Sequence, residues 1–183
     1  MTEALLFLVR AVADLFVMFV LLRLLMQTFR ADFRNPLAQA VLQITSPLII
    51  PARRLLPPIG KFDTATIAVA LIVEFAFLLF VNWVFFGGAF GVLQLALFSV
   101  LRCLSLTIWL MVFVLFVYVI LSWVSSGYNP ATAIVHSLAE PLLRPVRRII
   151  PLVGGIDFSP MVLILLLMAL NMVISSELPG ILG

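Results

Sequence analysis

Two sets of charged residues in this chain have spacings that can do chemistry. The first is duplicated: Arg53-Arg54 with Asp63, and Arg147-Arg148 with Asp157. Arginine pairs at a membrane surface bind anionic head groups, each cation gaining ~1 kcal/mol there, or dock a partner protein. The second set, Arg10, Asp14 and Glu74, lies within long apolar runs. An ionisable group in hydrocarbon costs ~2.5 to 3.5 kcal/mol at the centre of a span, and by default it marks an ion or proton path. Glu74 is expected to share a proton with Asp14 or to pair with Arg10; the alternative is structural glue between helices. Asn82 and Asn171 can add interhelical hydrogen bonds. Lone Cys103 and lone His136 leave no disulfide framework and no metal cluster, so they are expected as an apolar packer and a surface residue. No nucleophile and base arrangement, phosphate-cradling glycine loop or metal-ligand spacing is present. An enzyme, a cofactor and a metal are not expected.

The elements that hold these residues are membrane spans. The 183 residues are 64% hydrophobic and 10% charged, with a mean hydropathy of +1.29; a soluble domain carries roughly 45 to 50% apolar and 25% charged residues. So low a charge content also excludes direct nucleic-acid binding. Apolar stretches at about 4–29, 64–86, 98–123 and 158–176 each meet the ~18 residues a span requires. They predict an all-α polytopic membrane protein with four transmembrane helices. Residues 92–97 are an outer extension of the third span or an interfacial turn after Gly87-Gly88. The opening residues have no positive n-region and Arg10 interrupts the apolar run, so the first stretch is expected to be an uncleaved span. Arg10 and Arg23 each lie near an end of it and can snorkel. Trp83, Trp109 and Trp123 are of the kind that span ends attract.

Eight of the eleven Lys and Arg residues sit in two loops, Arg30, Arg34, Arg53, Arg54 and Lys61 in one and Arg144, Arg147 and Arg148 in the other. These loops share one side of a four-span protein, and the positive-inside rule assigns that side to the cytoplasm. Both termini then face outward.

Residues 35–63 align without a gap on residues 129–157, with eleven of 29 positions identical. Asn35, Pro36, Val41, Pro47, Leu48, Pro51, Arg53, Arg54, Pro57, Gly60 and Asp63 match Asn129, Pro130, Val135, Pro141, Leu142, Pro145, Arg147, Arg148, Pro151, Gly154 and Asp157. The chain therefore divides into two units, 1–91 and 92–183. Each holds a span, a cytoplasmic segment and a second span, so the repeats run parallel. Glu74 and Asp14 align with Met168 and Ile108 and stand outside the repeated pattern.

Within each repeat, Asn-Pro predicts an N-cap and first helical residue, opening a short amphipathic helix able to lie on the membrane. Leu37, Val41, Ile44 and Leu48 form the apolar stripe of the first, and Ile134, Val135 and Leu138 that of the second. Pro47, Pro51 and Pro57, with Pro141, Pro145 and Pro151, are expected to break these helices into stiff ledges carrying the arginines. Asp63 and Asp157 either cap the following span or pair with the arginines. Gly60 and Gly154 are expected in turns with positive φ.

The doubled pattern Pro-Leu-x-x-Pro-x-Arg-Arg-x-x-Pro-x-x-Gly-x-x-Asp resembles the signature of the YggT family of small bacterial membrane proteins, called YlmG in other lineages and in plastids. The resemblance covers the whole chain, departing at Lys61 against Gly155 and Thr66 against Pro160. It implies a multi-pass protein of the bacterial inner membrane, linked to osmotic tolerance, division-site or nucleoid organisation, or assembly of membrane complexes. Together the readings predict a non-catalytic scaffold whose partners are the bilayer, anionic head groups and a cytoplasmic or membrane protein. The alternative is a small permease for an ion or solute, with Glu74, Asp14 and Arg10 lining its path; four spans make a thin wall, so it would act as a homo-oligomer.

Overall fold

The computed structural model describes residues 2–59, 63–124, 129–150 and 157–179. Gly60, Lys61, Pro151, Gly154 and Gly155, and the expectations placed on them, lie outside the described residues. Six helices follow in order: α1 Thr2–Thr28, α2 Pro36–Leu55, α3 Thr64–Phe85, α4 Val92–Val124, α5 Pro130–Arg147 and α6 Ser159–Ser176. Helices α1, α3, α4 and α6 are long and apolar enough to cross a membrane, so the chain is a multi-pass helical membrane protein. They are apolar nearly all round, as lipid-facing spans must be, and much of their large apolar surface stays exposed.

The third span is one 33-residue helix starting at Val92, so residues 92–97 extend it rather than turn. The turn lies just before it, where Gly87 and Gly88 take φ of +59° and +80°. Asn82 closes that turn: its side chain donates to the Phe90 carbonyl at 3.0 Å and accepts from the Phe90 amide at 3.1 Å. Asn82 thus serves the α3–α4 connection instead of bridging packed helices.

The proline expectation needs correcting. Helix α2 runs through Pro47 and Pro51, and α5 through Pro141 and Pro145; only Pro57 falls beyond the end of α2. Pro47, Pro51 and Pro145 are exposed and Pro141 is half-buried. A carbonyl that loses its helical donor on an open face can bond water instead, so the helix persists.

Helices α2 and α5 pack against the spans and against each other. Asn35 caps α2 by accepting from the Leu37 amide at 2.9 Å, and its amide donates 2.7 Å to the Pro130 carbonyl at the start of α5. Both repeated segments therefore share one side of the bundle, the motif side, opposite the α3–α4 turn. Helix α2 buries Ala38, Val41, Thr45 and Ile49. The predicted stripe is rotated by about one residue, and Leu37, Ile44 and Leu48 stay exposed. Helix α5 buries Ile134, Leu138, Ala139 and Leu143, close to its predicted face. Helix α4 is central: it touches α1, α3, α5 and α6, whereas the backbones of α1 and α6 stay apart on either side of it.

Candidate functional site

On the motif side, each repeat folds its Arg-Arg pair in the same way. The first arginine turns inward and the second stays exposed. Arg53 Nη2 pairs with Asp63 at 2.5 Å, and Arg147 Nε pairs with Asp157 at 2.8 Å. The aspartates do both things expected of them. Asp63 also accepts from the Thr66 amide at 3.4 Å and the Thr66 hydroxyl at 2.5 Å, meeting the orphan donors at the start of α3. Asp157 accepts from the Ser159 amide at 2.9 Å. Each pair thereby bolts the end of an amphipathic helix to the start of the next span. Arg54, Arg144 and Arg148 are exposed.

The surroundings of the two bolts differ. Beside the first, Arg23 of α1 is buried and donates to Thr45 at 2.9 Å and to Ser46 at 3.3 Å. It does not snorkel to water; α2 covers it and supplies its partners. Beside the second, Glu140 accepts from Arg147 Nη1 at 2.9 and 3.1 Å. Tyr118 accepts from Arg147 at 2.9 Å and donates to Glu140 at 3.2 Å, completing a ring of contacts. His136 is exposed, as expected, with its ring edge-on to Tyr118 at 4.8 Å.

Burial works to raise the carboxyl of Asp63, yet hydrogen bonds from Arg53 and Thr66 hold it below the usual carboxylate range. Burial likewise opposes ionisation of Asp157, and bonds from Ser159 and Arg147 outweigh it, keeping its pKa low. The hydrogen bond from Arg147 is the main reason Glu140 is also lowered. For Arg147, burial lowers the pKa but contacts with Glu140, Tyr118 and Asp157 more than offset it, so the net shift is upward. Both bolts are charged pairs at neutral pH.

The intramembrane set is organised by a residue the sequence reading did not single out. Arg102 of α4 is buried and pairs with both Glu74 of α3 and Asp14 of α1. Arg10 stands 3.4 Å from Asp14 one turn along α1. Glu74 therefore takes neither expected partner directly; a cation from the second repeat stitches two acids of the first. Arg102 also lies 5.3 Å from the centre of the Phe77 ring. Glu74 Oε2 is buried with no hydrogen-bond partner among the described residues. Asn171 does bridge helices, accepting from Ser105 at 2.7 Å.

What hid Arg102 was its setting. It sits in a long apolar run with no repeated counterpart, since Leu8 occupies the equivalent position. One partial signal was available: Arg10, Asp14 and Glu74 include one acid more than they have cations, which demands a countercharge, and Arg102 is, with Arg23, one of two other cations within the apolar runs. Cys103 is a buried free thiol. Trp109 departs from span-end placement and lines a cleft in mid-helix, while Trp83 and Trp123 stand exposed near helix ends. No group of acidic, His or Cys residues able to hold a metal occurs among the described residues.

The family model described as CCB3/YggT matches residues 2–84 and again 97–178. The uncharacterized protein YggT of Escherichia coli K12 is 44% identical over 175 residues, covering 94% of this chain and 89% of that protein. An uncharacterized protein of Pseudomonas aeruginosa is 34% identical over 100% of this chain and 94% of its own length. One from Vibrio alginolyticus, named for its position in the proC 3' region, is 39% identical over 86% of this chain and 85% of its own. No solved structure matches the chain. With the family pattern met twice along the sequence and relatives aligned nearly end to end, this chain belongs to the CCB3/YggT family.

Proposed function

We propose that the protein is a non-catalytic scaffold of the bacterial inner membrane that presents its motif side to the cytoplasm. The observation behind this reading is the duplicated bolt. In both repeats one arginine is spent on an aspartate ten residues away, while its neighbour, Arg54 or Arg148, stands exposed on a braced helix end. Charge used only for topology would need neither the fixed spacing nor the brace. The exposed arginines, with Arg144, would hold anionic head groups and position a cytoplasmic or membrane partner in envelope organisation, division or osmotic tolerance.

A second reading, a small oligomeric permease, draws support from Glu74 Oε2, a buried acceptor without a hydrogen-bond partner among the described residues and beside a bound arginine, as a proton path would require. The two readings predict opposite sensitivities. In a deletion strain under osmotic challenge, with protein levels matched, the scaffold predicts that Arg54→Ala with Arg148→Ala abolishes rescue and Glu74→Gln does not. Purified protein in proteoliposomes should carry no ion flux. Rescue that survives loss of both arginines but fails with Glu74→Gln would remove the scaffold reading.

A further inference from the structure

The duplication makes one kind of interface once and leaves it unmade once. The two repeats meet where α3 packs on α4. There Glu74 pairs with Arg102, and Cys103, Leu106 and Leu110 of α4 share one buried cluster with Val69 and Ala70 of α3. The register that matches residues 35–63 to 129–157 also carries α3 onto α6 and α1 onto α4. The same two faces therefore occur again, on α6 and on α1.

Their burial is reversed. In the α3–α4 interface Leu78, Ser99, Arg102 and Leu106 are between 1% and 8% exposed. Their equivalents, Met172 of α6 and Leu5, Leu8 and Val12 of α1, are between 57% and 75% exposed. The backbones of α1 and α6 do not approach each other within the chain, so both faces stand open among the described residues.

Each open face keeps the form of half an interface. On α1 a trough of about 530 Å³ is lined by residues that include Leu8, Val9, Val12 and Phe16. These are the equivalents of Arg102, Cys103, Leu106 and Leu110, all buried on α4. On α6 an exposed stripe runs through Met161, Leu165, Met168 and Met172 and holds three of the seven methionines of the chain. Methionine is flexible, fills irregular gaps and is favoured at binding surfaces. The ion pair has changed at both ends together, Glu74 to Met168 and Arg102 to Leu8, so neither open face carries a charge that would need a partner. Packing, rather than transfer out of water, drives the association of spans in lipid, and a trough facing a stripe of adaptable side chains supplies it. Copies in one membrane share an orientation, so α1 and α6 of neighbouring copies run antiparallel, as α4 and α3 do.

We propose that a second copy of this chain covers these faces, α6 of one copy seating on α1 of the next in the register of α3 on α4. Met168 then lies opposite Leu8, and Met172 opposite Leu5. The contact is head to tail, and the assembly closes when the last α6 face meets the first α1 face. It involves neither arginine bolt and does not depend on the scaffold reading.

The test is photocrosslinking in native membranes from cells expressing two differently tagged copies, one with a benzophenone amino acid replacing Leu8. A product of twice the 20.3 kDa monomer mass, carrying both tags, should form on irradiation, with the crosslink mapping to residues 161–172 of the other copy. The same label replacing Met168 should map to residues 5–12 of the other copy. Replacing Leu170, exposed on the opposite side of α6, should give no double-tagged product. Adducts with lipid alone, or crosslinks joining α1 to α1, would overturn the proposal. So would attachment of position 8 to residues 161–172 of its own copy, or equal yields from positions 8 and 170.

Discussion

The two bolts are built from the same motif and end in opposite electrostatic settings. Around Asp63 the nearby groups are Arg53 and Arg23, one anion between two cations, and the Asp63 side chain is only 7% exposed. Around Arg147 the groups are Asp157 and Glu140, one cation between two anions, with Asp157 27% exposed. The substitutions responsible are few: Arg23 against Val117, Leu24 against Tyr118, Ser46 against Glu140 and Thr66 against Pro160. Duplication thus preserved the mechanical part of the motif while its surroundings diverged, leaving one cationic site with a buried aspartate and one anionic site with a more open one. The second also borders a cavity of about 390 Å³ with Tyr118, Trp123 and Asp157 on its wall, and the first has no such opening among the cavities described.

If this contrast is real, removing each aspartate should have unequal effects. Asp63→Ala leaves half-exposed Arg53 and buried Arg23 without an anion and should lower stability by about 2 kcal/mol, less than a fully buried pair loses because water reaches Arg53. Asp157→Ala should lower it by only ~1 kcal/mol, because Glu140 still faces Arg147 and water reaches the site. Thermal unfolding in detergent, measured side by side, reads the difference; equal losses would erase the distinction between the sites.

A smaller effect sharpens the same comparison. Thr66→Pro installs the second repeat's residue in the first, removing a hydroxyl and an amide donor from Asp63 at a helix position that tolerates proline. A loss of about 1 to 2 kcal/mol is expected, again from unfolding measurements. Tyr118→Phe, which removes one hydroxyl from a site that keeps its ion pairs, should be the mildest change, at about 0.5 to 1 kcal/mol.

Acid should affect both bolts in one direction. Asp63, Asp157 and Glu140 all have lowered pKa values in the folded chain. Their contribution is therefore fully present above the unfolded carboxylate values of about 3.9 to 4.3. It is lost as pH falls through the lower folded values. Unfolding temperature should hold steady from neutral pH to about pH 5 and drop below about pH 4. A drop centred near pH 6 to 7 would contradict this assignment to the carboxylates.

The spans and the repeat could be read from sequence because both are local signals. A run of apolar residues needs no partner to be recognised, and the gapless match of residues 35–63 to 129–157 carries the same geometry twice. The Arg–Asp bolts were half legible: spacing brought the residues near one another, but which arginine of each pair turns inward depends on helical phase. Arg102 was illegible as a stitch, since its partners lie 88 and 28 residues away on other helices and no periodicity links them. The prolines misled because their rule assumes that a freed carbonyl is buried, whereas those of α2 face outward. The α2 stripe misled because Leu37, Ile44 and Leu48 are more apolar than Ala38 and Thr45, yet it is the smaller residues that fit against the spans.

A cytoplasmic scaffold of this design requires both bolts to lie on one face of the membrane and that face to be the cytoplasmic one. In a Cys103→Ser background, Arg54→Cys and Arg148→Cys can each be labelled with a membrane-impermeant thiol reagent, in intact spheroplasts and in inverted vesicles. Both positions should react in inverted vesicles and neither in spheroplasts. Labelling of the two cysteines from opposite faces would contradict the parallel arrangement, and labelling of both from outside would reverse the proposed orientation.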